Sequence, residues 1–420
     1  MGLPVDWLRS RRLARTSTAA VLAAALAVLA ARSASAEALL LVEVDSGKVL
    51  HAENATYPWY PASVTKLMTA YVTLSAVKEG RITLDTLIRV SNNAVAQQPT
   101  KMGFRAGTQV TIDNALKMMM VKSANDMAVA LAEGVGGSIE NFAGEMNRAA
   151  QRLGMAQSSF VNPNGLPDEN QFTSARDLAI LARALIREFP EYDLYWHIPA
   201  IKLGKRVMRN YNTLIDRYPG ADGMKTGFIC SAGFNLVASA TRGNKRLIAV
   251  VLGAPSSSVR AVQAAQLLEK GFSPNPLSWL LPSLGTVDAL TAIAASPPDL
   301  HEAMCGKHRH RPAAETEEEP TDTPSDPDAA SAYAAMNQSL RAQKVVLGPL
   351  IPSMPPIEVF VGASKPRPRP VVARSSASGA GTAARKPADT KSAATKPAGP
   401  KKPSTVAAPS SPKPQPRPGS

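Results

Sequence analysis

Residues 60–69 read Tyr-Pro-Ala-Ser-Val-Thr-Lys-Leu-Met-Thr. Pro61 suits the first turn of a helix because its φ is already fixed near the helical value. The spacing of Leu67, Ala70, Tyr71, Leu74 and Val77 predicts that this helix runs to about Lys78. Ser63 and Lys66 then share one face at its start, so the amine reaches the hydroxyl. A serine hydroxyl is a poor nucleophile until a base takes its proton. Lys66 is that base if burial and neighbouring positive charge lower its pKa from the roughly 10.4 of a free lysine. The backbone N–H of Ser63, at a helix N-terminus, is a candidate donor to a developing oxyanion.

Two further constellations follow in order, Ser123-Ala-Asn125 and Lys225-Thr-Gly227. Each alone is poor evidence, since Ser410-Ser-Pro-Lys413 also fits S-x-x-K and Ser91-Asn-Asn93 also fits S-x-N. The ordered set carries the weight, because each member falls where the expected architecture wants it. Thr111 caps a helix through Met120 that carries Met118, Met119 and Met120 as core, and Asn125 opens the next. Ser123 and Asn125 therefore sit in a turn between helices, where a hydroxyl and an amide can relay a proton and hold Lys66 and a substrate amide. Lys225 and Thr226 offer a cation and a hydroxyl to a carboxylate. Gly227 keeps a strand edge clear for a substrate backbone, and the N–H of Phe228 is the second oxyanion donor.

Around these lie a hairpin of residues 39–44 and 48–51 about Asp45-Ser46-Gly47, a helix from Ser138 to Gly154, and another entered through Ser174-Ala-Arg-Asp177. Strand-like runs at 233–241 and 246–252 and a helix over 259–272 complete the pattern. The early hairpin is marginal alone, so it must join the late strands in one antiparallel sheet. The fold class is mixed α/β (α+β), a sheet flanked by helices with a helical subdomain.

Taken together, Ser63-Val-Thr-Lys66, Ser123-Ala-Asn125 and Lys225-Thr-Gly227 resemble the signatures of the penicillin-recognising serine enzymes. Longer strings narrow the likeness. Residues 60–69, Asn162-Pro-Asn-Gly-Leu-Pro167, Thr173-Ser-Ala-Arg-Asp-Leu178, Asp222-Gly-Met-Lys-Thr-Gly227 and Ala232-Gly-Phe-Asn-Leu-Val-Ala-Ser239 resemble low-molecular-mass D-alanyl-D-alanine carboxypeptidases of peptidase family S11. The resemblance covers about 37–272 and implies a β-lactamase/transpeptidase-like fold and an acyl-enzyme on Ser63. Lys66 would be proton acceptor, Ser123 a second proton-transfer group, and Lys225 the holder of the substrate's terminal carboxylate. The substrate implied is the peptidoglycan stem pentapeptide, with β-lactams as acylating inhibitors and a role in cell wall biogenesis and cell shape. No metal or organic cofactor is required. Many family members carry His after Lys-Thr-Gly where this chain has Phe228, and no convincing counterpart of the family's common C-terminal β-rich domain is expected in this sequence. The competing readings are a D,D-endopeptidase on cross-links, a serine β-lactamase, and a wall-binding scaffold. Asp168-Glu169 lacks the Glu-x-x-x-Asn context of a deacylating acid and reads as a solvated loop.

Residues 1–36 carry a basic region, an apolar run over 19–31 and Ala34-Ser35-Ala36, the order of a secretory signal peptide cut after Ala36. Export, to the periplasm or cell envelope, is therefore expected. The chain's 420 residues carry a net +14, a balance that raises nucleic acid as a partner. Its distribution removes that reading, because 1–36 hold +4 and 365–420 hold +11, leaving +5 on 37–272 and −6 on 273–364. The catalytic domain is thus expected over 37–272, a Pro-rich acidic linker with one short helix (331–346) over 273–364, and a basic, disordered tail over 365–420 that associates with anionic envelope polymers. Two cysteines exclude a disulfide framework and a four-thiolate zinc site. Cys230 and Cys305 either pair in an oxidising compartment or leave Cys230 free and buried. His301, Cys305, His308 and His310 have metal-ligating side chains but sit in a polar linker, which is the preferred reading.

Overall fold

The structure, a computed structural model, describes residues 37–273, 282–306 and 347–363. The segment expected as a signal peptide, the expected helix at 331–346, His308, His310 and the basic tail lie outside the described residues.

The chain enters through β1 (Ala38–Glu43) and β2 (Val49–Glu53), turning at Gly47, whose φ of +71° suits a residue without a Cβ. A 3-10 turn (Ala62–Thr65) runs directly into α1 (Lys66–Lys78). Sequence reading gave one continuous helix from Pro61. The structure winds the first turn tighter because Ala62 stands at φ +50°, outside the right-handed helical region. A small pair, β3 (Leu87–Arg89) and β4 (Gln109–Thr111), precedes α2 (Ile112–Val121), capped as expected by Thr111 Oγ1 accepting from Asn114 N. α3 (Asn125–Gly136) and α4 (Ile139–Leu153) follow, the latter capped by Ser138 and ended by Gly154 in the left-handed region at φ +75°. α5 (Ala175–Glu188) opens with Ser174 Oγ accepting from Asp177 N. Beyond it come β5 (Ala200–Leu203), β6 (Arg206–Arg209), β7 (Ala221–Ile229), β8 (Gly233–Arg242), β9 (Lys245–Ala254), α6 (Ser257–Phe272) and the short β10 (Ile357–Val359).

The main sheet has the order β2-β1-β9-β8-β7, with every neighbouring pair antiparallel, so the early hairpin joins the late strands as the sequence required. β8 and β9 are buried along nearly their whole length. Successive side chains point to opposite faces of a strand. Accordingly Leu236, Ala238 and Ala240 pack with Ala264, Ala265 and Leu268 of α6, whereas Val237, Ile248 and Val250 join the core beneath α1 and α5. A strand covered on both faces reads as an unbroken apolar run, which is why 246–252 lacks alternation. β7 closes the sheet at one end, with the 3-10 turn packed against it.

The chain beyond 272, expected as an irregular linker, includes packed pieces. Thr286 bridges to Lys48, Val287 N donates to Gly47 O, and Val287 is buried. Gln157 Nε2 donates to Ile293 O, Leu300 N donates to Ser231 O, and Cys305 is bonded to Cys230. β10 pairs in parallel with β5, while Phe360 N and Gly362 N donate to Asn114 Oδ1 and Gln109 O. These segments hold on by backbone bonds and isolated apolar plugs, so no periodicity announces them. Among the described residues, no helix is long and apolar enough to cross a membrane.

Candidate active site

Ser63 lies in the 3-10 turn, partly exposed, and Lys66 is the first residue of α1 with no exposed surface. The tighter turn preserves the expected juxtaposition. Lys66 Nζ stands 2.8 Å from Ser63 Oγ, 2.7 Å from Asn125 Oδ1 and 2.7 Å from Asn164 O. Three donated bonds use the three hydrogens of an ammonium. Once neutral, the same amine keeps two and turns its lone pair to the serine hydroxyl.

The Ser123-Ala-Asn125 turn is held open by the strand of chain before it. Asn125 Nδ2 donates to Gln98 O, Asn125 N to Thr100 O, and Thr100 Oγ1 to the carbonyls of Lys122 and Ser123. These bonds fix Ser123 at φ +57°, a left-handed conformation that costs a non-glycine residue about 1–3 kcal/mol. Ser123 is buried, and its Oγ has no hydrogen-bond partner within the protein. A buried hydroxyl left unbonded on a strained backbone is aimed at something else.

The third constellation rides on β7. Lys225 and Thr226 are both buried, Lys225 Nζ donates to Thr226 O at 2.9 Å, and Thr226 Oγ1 is again a buried hydroxyl without a partner. A Cβ on Gly227 would lie 2.8 Å from Ser63 N and 3.0 Å from Val64 N, so any side chain would close the gap between strand and nucleophile. Phe228 is half-buried and stacks on Phe234 at 4.2 Å between ring centres. The structure thus brings Ser63, Lys66, Ser123 and Asn125 together around one amine and one turn, and sets Gly227 against the same turn.

Sequence reading missed the parts that position this set. Asn164 supplies the third acceptor to Lys66, and its loop is fixed because Gly165, at φ +82°, lies so close to Ala62 that a Cβ would stand 1.8 Å from Ala62 O. Asn235 Nδ2 donates to Tyr60 O and Pro61 O while its Oδ1 accepts from Gly253 N, riveting the nucleophile's turn to the sheet. Arg260 of α6 donates to Gly227 O and Asn235 O, both at 3.3 Å. Asn164 and Asn235 lie inside the longer family-like strings; Arg260 has no signal, being a cation on a helix that also carries Glu269 and Lys270. Asp168 and Glu169 are exposed, and Asp168 caps its own loop by accepting from Asn170 N. Cys305 is spent in its disulfide, so it is no metal ligand, and the described residues contain no cluster of three or more His, Cys, Asp or Glu able to hold a metal.

An antiparallel sheet with α6 behind it, a helical lobe in front, and Ser-x-x-Lys, Ser-x-Asn and Lys-Thr-Gly converging between them define a protein of the penicillin-binding, transpeptidase-like fold. The sequence description of peptidase family S11, D-alanyl-D-alanine carboxypeptidase, matches residues 25–256, and the chain belongs to that family. It is 38% identical over 244 residues to D-alanyl-D-alanine carboxypeptidase DacA of Haemophilus influenzae, a match covering 57% of this chain and 62% of that protein. The crystal structure of penicillin-binding protein 5 from the same organism aligns with a TM-score of 0.55 at 38% identity, over 57% of this chain and 71% of that one. Penicillin-Binding Protein D2 from Listeria monocytogenes, solved in an ampicillin-bound and a cefotaxime-bound form, aligns at 0.50 and 30% identity over 56% of this chain and 96% of that one. The chain thus spans somewhat less than two thirds of the first relative's length.

Proposed function

We propose that this protein is an exported serine D-alanyl-D-alanine carboxypeptidase acting on peptidoglycan pentapeptides. Ser63 Oγ attacks the carbonyl carbon of the penultimate D-Ala while Lys66 Nζ takes its proton. The N–H groups of Ser63 and Phe228 receive the oxyanion, and Lys225 with Thr226 holds the terminal carboxylate. As the C–N bond breaks, Ser123 passes a proton to the departing D-Ala amine, and water then hydrolyses the ester on Ser63. The observation that carries this reading is the fully buried Lys66 amine 2.8 Å from Ser63 Oγ, with an unpartnered Ser123 hydroxyl in the same site. Occupancy of a relative by ampicillin and cefotaxime supports acylation of Ser63 by β-lactams as well.

The test is a labelling and release assay. Wild type should form a long-lived fluorescent penicilloyl adduct and liberate D-Ala from pentapeptide, and Ser63→Ala should do neither. Rapid penicillin turnover would make the protein a β-lactamase. Cleavage of cross-linked dimer with no release from monomer would make it an endopeptidase. Wild-type cell shape restored by Ser63→Ala would shift the role to a scaffold.

A further inference from the structure

We propose that the Cys230–Cys305 bond is a positioning element of the acylation site, so that the reactivity of Ser63 depends on the oxidation state of this pair. The inference rests on the catalytic reading above. Cys230 is the first residue beyond β7, three positions past Gly227 and two past Phe228. Among the described residues, β7 is the terminal strand of its sheet, bonded laterally to β8, and its far edge faces the Ser63 turn. The position of Phe228 and Gly227 relative to Ser63 is therefore set largely by how the β7–β8 turn, residues 229–233, is held.

That turn is clasped from two sides. On one, Trp59 Nε1 donates to Ala232 O at 2.9 Å, and Trp59 leads directly into Tyr60, Pro61 and the nucleophile's turn. On the other, Leu300 N donates to Ser231 O at 3.0 Å, the Met304 side chain packs against Gly233 so closely that a Cβ there would lie 3.0 Å from Met304 Cε, and Cys305 closes the covalent link. Asp299 belongs to the same clasp and reaches the site electrostatically. Burial, then the charges of Asp299 and Glu169, hold the Tyr60 hydroxyl above its ordinary pKa.

The clasping helix, His301–Cys305, is only five residues long. Short pieces with few contacts open locally at low cost unless something ties them down. The bond supplies that tie. Reduction by a dithiol transfers two electrons and two protons, breaks the protein S–S bond and forms one in the reductant. The clasp then rests on one backbone bond and the Leu300 and Met304 side chains. The β7 end gains freedom at the point where a displacement of about 1 Å costs on the order of 10²-fold in rate.

The experiment uses the full chain, oxidised and then reduced with dithiothreitol, with thiols counted and folded fraction followed by circular dichroism. Second-order acylation by fluorescent penicillin and the KM and kcat of D-Ala release are measured in both states. Expected for the reduced, folded protein is acylation slowed at least fivefold, with the loss in kcat rather than KM, and full recovery on reoxidation by oxidised glutathione. The double variant Cys230→Ser, Cys305→Ser should show the slowed rate permanently and ignore dithiothreitol. Equal rates in the two states, or a rate that falls only in proportion to unfolded protein, would make the bond a stabiliser and overturn the proposal. Absence of acylation in the oxidised wild type would instead overturn the catalytic reading, and this inference with it.

Discussion

At the scale of single residues, the site spends conformational energy to hold groups that the protein itself does not bond. Ser123 is the clearest case, with a left-handed backbone and a buried hydroxyl lacking a partner. Ser123→Gly relieves the strain, removes the orphaned hydroxyl, and adds back some unfolded-state entropy. It should raise thermal stability by up to about 1 kcal/mol while D-Ala release falls roughly 10²-fold, read from Tm and from release kinetics. A variant that is both less stable and fully active would show that Ser123 has no part in proton transfer. Gly165→Ala makes the opposite case, because its Cβ has nowhere to go at 1.8 Å from Ala62 O. It should cost about 3 kcal/mol or more by chemical denaturation, and the displaced Asn164 should slow acylation in the fraction that folds.

Between elements, the junction of sheet and nucleophile turn depends on side chains that touch no substrate. Asn235→Ala removes three hydrogen bonds to Tyr60, Pro61 and Gly253, which should cost about 2–3 kcal/mol and slow acylation with little change in KM. Behind β7, Asp193 takes hydrogen bonds or ion pairs from Arg246 and His197. Burial pushes its carboxyl up, but those two partners outweigh it and hold the pKa below the unfolded value of 3.8. The stability it contributes is therefore present above that value and lost as pH falls through the lower, folded one. Asp193→Asn should cost roughly 1 kcal/mol at pH 7, discounted for its partial exposure, and almost nothing once the pH has fallen below the lowered, folded value. Equal costs at both ends would show that the charge is not what matters. Elements of this kind separate what could be read in advance from what could not. α2, α4 and α5 announced themselves through Thr111, Ser138 and Ser174, because a cap is a local bargain between one side chain and one N–H. β7 offers no apolar period, since Lys225, Thr226 and Gly227 serve the site, so sequence reading reaches only a strand edge at Gly227 and not the strand's full span from Ala221 to Ile229. Arg260 was invisible because its meaning comes from Gly227 and Asn235, far from it in sequence.

For the whole molecule, the basic charge that first suggested nucleic acid sits mostly at the two ends, outside the catalytic region. We propose that the tail over 365–420 tethers the enzyme to anionic envelope polymers. A chain ending at residue 364 should keep wild-type penicillin acylation and lose salt-sensitive sedimentation with purified cell walls; equal sedimentation at low salt would end that role. The same scale includes the disulfide, whose 75-residue separation implies about 4 kcal/mol of loop entropy withheld from the unfolded chain, measurable as the denaturation midpoint with and without dithiothreitol. β10 has a different reach. It completes a three-stranded sheet with β5 and β6, although β5 ends at Leu203 and β10 begins at Ile357. A chain made from its N-terminus forward thus has Ser63, Lys66, Ser123 and Lys225 in hand long before β10, the last strand among the described residues, has been synthesised. Closure of that small sheet is therefore a late, long-range assembly step, joining a strand made early to one made far downstream.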